Sequence, residues 1–285
     1  MTNTFGTATR TWFAPAKLNL FLHVIGRRAD GLHELQTLFQ LLEFGDSLRF
    51  ETSLDGVIER IDDSALPADD LSVQAARALR AFGDQALGVR IHLKKRIPVG
   101  AGLGGGSSDA ATTLVALNQL WQLGLPMQRL LEIGRELGAD VPLFVAGRSA
   151  WGEGIGDRLT TATLPDRTYC VVWPAVSVPT KDVFSDPELT RNTPAIRIPG
   201  PFNGNRRNDL EPVARKRFPE VGQCLDWLGQ FGKAQMTGSG AAAFVVVESD
   251  QAGRDIIGRL PGSLSGLVAN GINQNPAFAD EPVGV

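Results

Sequence analysis

Five of the seven residues from Gly100 to Gly106 are glycine, Ser107, Ser108 and Asp109 follow, and an apolar pattern then begins without interruption. Upstream, Val89, Ile91 and Leu93 alternate with Arg90, His92 and Lys94, the period of a strand. Downstream, Ala111, Leu114, Leu117 and Trp121 recur at helical spacing until Gly124 and Pro126 stop them. Strand, glycine turn and helix follow one another with no spacer. A flexible linker would not be confined to one turn between such strongly periodic elements.

A helix leaves its first backbone N–H groups unpaired and carries positive potential at that end. Glycine lacks a Cβ and reaches positive φ at little cost, so a glycine turn can bend a run of N–H groups around phosphate oxygens. Ser107, Ser108 and Asp109 stand where an N-cap is expected, and their side chains serve either as caps or as contacts to a phosphate or its magnesium ion. Gly100, Gly102 and Gly105 satisfy G-x-G-x-x-G, but neither a Rossmann start near the N-terminus nor the acid after the next strand accompanies them. No lysine follows the last glycine, so this is not a Walker loop.

The chain of 285 residues is long enough for two domains. A net charge of -3 gives no reason to expect nucleic acid or an anionic membrane as partner, so any anionic ligand needs a local site. Cys170 and Cys224 form no metal or redox spacing, and nothing in MTNTFGTATRTWF resembles a secretion signal. The expectation is a reduced, cytoplasmic protein, monomer or homodimer.

Elsewhere, Leu18, Leu20, Leu22 and Val24 alternate with Lys17, Asn19, Phe21 and His23, predicting a half-buried strand with Lys17 and Asn19 on one face. A turn at Asp30-Gly31 leads to an apolar stretch from Leu35 to Phe44, closed by Gly45-Asp46. Helices are predicted over residues 70–82 and from Pro126 to Leu137. GEGIGDR at 152–158 reads as a loop between domains, YCVVW and FVVVES as strands, residues 190–209 as a long loop, and NQNPAFADEPVGV as a frayed end.

The segment PVGAGLGGGSSDAA resembles the phosphate-binding motif of the GHMP kinase superfamily, the galactokinase, homoserine kinase and mevalonate kinase group. APAKLNLFLHVIGRRADGLHELQTLFQ, LGADVPLFV, VSVPTKDVFSDPELTRNTP and MTGSGAAAF extend the resemblance over most of the chain, in the order of the branch that phosphorylates a cytidyl-diphospho-methylerythritol. The resemblance implies ATP with Mg2+ as cofactors and transfer of the γ-phosphate to the 2-hydroxyl of that small molecule. It implies a two-domain α+β fold, with an N-terminal nucleotide domain (1–156) built on a left-handed βαβ unit and a ferredoxin-like C-terminal domain (157–285). Without it, the order of elements supports only a mixed α/β phosphate binder.

By the same resemblance Lys17 and Asp140 are the catalytic pair, and the loop residues Pro98, Val99, Gly100, Ala101, Gly102, Leu103, Gly104, Gly105, Gly106, Ser107 and Ser108 bind the nucleotide. Asn19, His33, Thr180, Phe184, Gly238 and Ser239 contact the substrate, with His33 reading the base and Phe184 stacking on it. The metal ligands stay unassigned. Taken alone, Asp140 reads as a helix cap, Lys17 as the solvent face of a strand, Thr180 as a cap before KDVF, Phe184 as core and Thr237-Gly238-Ser239-Gly240 as a plain turn. Arg206 and Arg207 are either phosphate contacts or solvated loop residues. Leu32 stands where many relatives have a tyrosine, which reduces the aromatic sandwich around the base. Other acceptor alcohols, or a silent nucleotide-binding scaffold, are the competing readings; the residues around His33 and Phe184 and the presence of both Lys17 and Asp140 weigh against them.

Overall fold

The computed structural model describes residues 10–61, 66–197 and 207–278. The first half runs β1 (Trp12–Arg27), β2 (His33–Ser53), β3 (Ile58–Arg60), α1 (Leu71–Arg80), β4 (Gly88–Lys94), α2 (Gly105–Leu120), α3 (Met127–Leu137), α4 (Val141–Ala146), β5 (Ala150–Glu153) and β6 (Arg158–Thr161). The second half continues with β7 (Thr168–Pro174), α5 (Thr180–Phe184), α6 (Glu211–Arg217), α7 (Pro219–Leu228), β8 (Gln235–Met236), β9 (Ala243–Val247), α8 (Asp250–Ile257) and β10 (Leu264–Ile272).

β2 is the hub: it pairs with β1, β4, β5 and β10, all antiparallel. It does not stop at Gly45-Asp46 as the turn signal predicts. Gly45 lies inside the strand opposite Pro15, where an added Cβ would stand 2.1 Å from the Ala14 carbonyl oxygen. Close strand approach, not a turn, accounts for that glycine. β3 and β4 are parallel and joined through α1, a βαβ crossover. α1 starts where Asp70 accepts hydrogen bonds from the backbone of Ser72 and Val73, a cap worth about 1 kcal/mol.

The second half has the order β10-β7-β9-β8, and along the chain β7 is followed by α5, α6 and α7, then β8, β9, α8 and β10. This is the split βαβ, ferredoxin-like arrangement. The two halves share one continuous sheet through the pairs Leu41 with Ile272 and Leu42 with Gly271. GEGIGDR is the turn of the β5–β6 hairpin rather than a linker, and β5 pairs with β2, so the expected boundary between 156 and 157 cuts that hairpin. The C-terminal residues are docked as far as 278: Asn275 is buried and donates to the Phe13 carbonyl, and Phe278 packs beneath Gly147.

Among the described residues, three apolar clusters hold the molecule. One lies between α1–α4 and the first-half strands, and one between α5–α8 and the second-half strands. The third joins the halves, bringing Leu18, Leu20, Leu38 and Trp151 against Tyr169, Val171 and Phe244. That third cluster takes Leu18 and Leu20 on one face of β1, while Lys17 and Asn19 on the other are enclosed by Asp140, Thr37 and Thr237. Lys17 to Val24 are accordingly all buried, where alternation alone predicted a half-buried strand.

Candidate functional site

The glycine turn is held by its non-glycine residues. Ala101 and Leu103 are buried in the cluster between the halves, while Gly100, Gly102 and Gly104 between and beside them have φ of +71°, +77° and +76°. Alternation of positive-φ glycines with anchored side chains coils the backbone in place. Two glycines also permit close approach. An added Cβ would lie 2.5 Å from the Thr237 carbonyl oxygen at Gly102, and 2.8 Å from the Phe144 ring at Gly104. Backbone bonds fasten the turn on two sides: Lys17 N–H donates to Leu103 O at 3.0 Å, and Ala242 N–H to Ala101 O at 3.0 Å.

The cap differs from expectation. Gly104 caps α2 through left-handed backbone, so Ser107, Ser108 and Asp109 fall inside the first turns. Ser107 lines the cleft, while Ser108 is fully buried with no hydrogen-bond partner for its hydroxyl among the described residues. Asp109 turns away to Lys95, whose ammonium is shared with Asp109 at 2.8 Å and Asp46 at 2.5 Å. Burial drives the Asp109 carboxyl well above its ordinary value, and the Lys95 charge opposes this. Lys95 is pushed up, because its two carboxylates outweigh its own desolvation. Asp46 also accepts from the backbone N–H of Arg96 at 2.5 Å and Ile97 at 2.8 Å, fixing the approach to the turn.

Lys17 and Asp140 meet, as the motifs imply: Lys17 Nζ stands 3.3 Å from Asp140 Oδ2. Asp140 occupies the N-cap position of α4, yet its carboxylate makes no capping bond. The lysine side chain is 3% exposed and the aspartate 32%, so the cation is fixed inside and the carboxylate opens to the cleft. A buried ammonium needs partners. Lys17 finds a second in Asn19 Oδ1 at 2.5 Å; Asn19 in turn donates to Thr37 Oγ1 at 2.8 Å, and Thr37 donates to Phe21 O at 2.5 Å. The chain of bonds orients the asparagine amide.

The late turn joins the same place. Asn19 N–H donates to Thr237 Oγ1 at 2.8 Å, and an added Cβ at Gly238 would lie 3.4 Å from Lys17 Nζ. Ser239 Oγ is 2.9 Å from Thr180 Oγ1, so the threonine hydroxyl reaches across to that turn while Pro179 holds the cap position of α5. Asn208 supports the turn by donating to Met236 O and Gly238 O. At the far end, His33 and Phe184 face each other with ring centroids 5.0 Å apart, and Leu32 beside them is 49% exposed.

Lys17, Asn19, His33, Asp140, Thr180, Phe184, Gly238 and Ser239 all line one cleft of about 730 Å³, with Gly100, Gly102 and Gly104 through Ser107 as its wall. Through the same wall the cleft adjoins a smaller cavity of about 320 Å³, lined by Leu71, Lys95, Pro98 and Val99. Of the remaining candidates, Arg207 is held by Asp209 at 2.8 Å, and Arg206 lies outside the described residues. Lys95, Asp46, Thr37, Asn208 and Arg191 were not anticipated from sequence; the only signal was Gly45-Asp46, which reads as a turn.

Models of the GHMP kinases N terminal domain and the GHMP kinases C terminal region match residues 70–148 and 200–265. A 4-diphosphocytidyl-2-C-methyl-D-erythritol kinase of Halorhodospira halophila is 52% identical over 277 residues, 95% of this chain and 96% of that protein. One of Thiobacillus denitrificans is 51% identical over 93% of this chain and 96% of its own length. A crystal structure of 4-(cytidine 5'-diphospho)-2C-methyl-D-erythritol kinase superposes with a TM-score of 0.81 at 34% identity, covering 92% of this chain and 99% of that one. A homoserine kinase from Cytophaga hutchinsonii, 18% identical with a TM-score of 0.60 over 96% and 98% of the two chains, shares the fold. Identity at this level along nearly the whole length, with both halves of the family pattern in order, makes this chain a member of the GHMP kinases, within the 4-diphosphocytidyl-2-C-methyl-D-erythritol kinase family.

Proposed function

We propose that the protein transfers the γ-phosphoryl group of ATP to the 2-hydroxyl of 4-diphosphocytidyl-2-C-methyl-D-erythritol, with Asp140 and Lys17 at the reacting centre. The observation that carries this reading is the 3.3 Å contact between Lys17 Nζ and Asp140 Oδ2 inside a cleft walled by the glycine turn. Phosphoryl transfer in a loose transition state needs positioning and charge neutralisation more than a strong base. Asp140 orients the acceptor hydroxyl and takes its proton late in the step. Lys17, held by Asn19, offsets charge on the transferring oxygens.

The N–H groups of the glycine turn and the start of α2 hold the phosphates. The two cavities share that wall, so the triphosphate spans it with the nucleoside end against Leu71 and Val99. Magnesium takes oxygen ligands and keeps several waters, and the Ser107 hydroxyl on the cleft and the unpartnered Ser108 hydroxyl behind it fit such a shell. When bound, the ion would neutralise charge on the β- and γ-phosphates. His33 and Phe184 receive the cytosine, and Thr180, Gly238 and Ser239 approach the diphosphate. Two free, buried cysteines fit a reducing cytoplasm.

The test is ATP consumption with the purified cytidyl alcohol, the product identified by phosphorus NMR. A new phosphomonoester resonance with this alcohol, and none with mevalonate, homoserine or galactose, is expected. Faster turnover of any of those three would refute the substrate assignment.

A further inference from the structure

The ring of His33 has one hydrogen-bond partner among the described residues: Arg191 Nε–H, which points at His33 Nε2 from 3.0 Å. A guanidinium in a protein stays protonated and can only donate. The nitrogen facing it must therefore present a lone pair, and in a neutral imidazole the proton then sits on Nδ1. Arg191 is not a loose surface cation. Its Nη2 donates to Phe184 O at 3.0 Å and Asp186 O at 2.6 Å, and its Nη1 to Leu189 O at 3.2 Å. Three carbonyls, one on the last residue of α5 and two beyond it, thus set the direction of Nε–H. The same side chain grips the backbone of Phe184, the ring that faces His33.

We propose that Arg191 is a positioning residue of the base subsite: it fixes His33 as the Nδ1–H tautomer, so that the imidazole offers a donor to an acceptor atom on the pyrimidine, and it locks Phe184 opposite. The proposal rests on the assignment of a cytidyl substrate to this cleft. Protonation of His33 would set a second cation against Arg191 and remove the acceptor that Arg191 needs. Burial first, and then the charges of Arg191 and Arg27, push His33 below its ordinary value, in keeping with a neutral ring. Carbonyl contacts alone would make Arg191 a structural staple; the Nε contact makes it act on recognition.

Nitrogen-15 NMR of the imidazoles in the wild-type protein tests this without substrate or variant. Nε2 of His33 should resonate as an unprotonated and Nδ1 as a protonated nitrogen at neutral pH; the reverse pattern overturns the proposal. In Arg191→Met the pattern should shift toward Nε2–H. KM for the cytidyl alcohol should rise about tenfold, the scale of one hydrogen bond, with KM for ATP and kcat within about twofold. Equal losses in kcat and in ATP affinity would count against it. Arg191→Lys keeps a cation for the carbonyls without the rigid fork, so the melting temperature should hold while the tautomer and KM shift; a normal tautomer there would also overturn the proposal. In a His33→Ala background, Arg191→Met should add little to KM, and full additivity would refute action through His33. A wild-type enzyme that ignores the cytidyl alcohol defeats the substrate assignment, whereas a wrong tautomer defeats only the role of Arg191.

Discussion

The two ends of the cleft are built from different materials. The end proposed to hold the phosphates is backbone: positive-φ glycines pinned between Ala101 and Leu103, closed by bonds to β1 and to the turn before β9, with Lys17 sealed at 3% exposure. The end proposed to hold the base is side chain: His33 and Phe184 are half-buried, Leu32 is exposed, and Arg191 ties His33 to Phe184, reaching the histidine across 158 residues of sequence. A backbone site tolerates almost no change in shape. A side-chain site sets which acceptor enters and is open to adjustment. Substitutions at the first end should therefore act in large steps, and those at the second in small ones.

The largest step is expected at Asp140. Asp140→Asn keeps the size of the side chain and loses the proton acceptor, so kcat should fall by about 10²–10⁴, the usual share of general-base catalysis, with ATP affinity nearly unchanged. Turnover within about threefold of wild type, by steady-state assay, would leave Asp140 without that role. Next comes the glycine wall. Gly104→Val would strike Phe144 and crowd Lys17 Cγ at 3.2 Å, mixing folding with binding. Gly106 separates them: it is exposed on both cavities, its φ is not positive, and an added Cβ would meet nothing nearer than Leu71 at 3.5 Å. Gly106→Val should keep the wild-type melting temperature and lose ATP affinity by on the order of a hundredfold, about the worth of one charge-assisted hydrogen bond. Calorimetric titration with ATP reads it directly, and tight binding would remove the phosphates from this wall.

The contrast also explains what the sequence revealed. A glycine turn between a strand and a helix is contiguous, so its chemistry could be derived from local rules, and the periodic elements around it, α1, β4, α2 and α3, lie where spacing predicts them. Lys17 and Asp140 could not be joined by local rules. Each has a bland local reading, and only the family motifs set 123 residues apart brought them together. The N-cap reading of Ser107, Ser108 and Asp109 failed because the left-handed Gly104 starts the helix three residues earlier. Gly45-Asp46 misled for a related reason: both residues serve long-range contacts, to Ala14 and to Lys95, that a local pattern does not encode. Arg191 lay in a stretch whose composition said loop and nothing more.

At the base end, Phe184→Ala removes the ring facing His33. Aromatic contacts are worth about 0.5–1.5 kcal/mol beyond burial, so KM for the cytidyl alcohol should rise about threefold to tenfold with kcat and ATP binding preserved. A matching loss of kcat would mean that the base contact is drawn on in the transition state, which would tie the two ends together more tightly than their construction suggests.

The smallest effect, and the sharpest test of the contrast, is at Leu32. It follows directly on the turn at Asp30-Gly31, where Asp30 accepts from Leu32 N–H at 3.0 Å, so the backbone is fixed while the side chain stays 49% exposed on the rim. Leu32→Tyr adds a ring on the exposed rim of the cleft that Phe184 also lines. Stacking against a base would then gain about 0.5–1 kcal/mol, and KM for the cytidyl alcohol should fall about twofold to fivefold while kcat and KM for ATP stay put. The same change in the Arg191→Met background should gain less, because a base held without the His33 donor is free to slide along the new ring. Equal gains in both backgrounds would show stacking and the His33 contact to be independent, and would reduce the base end to two separate contacts rather than one assembled clamp.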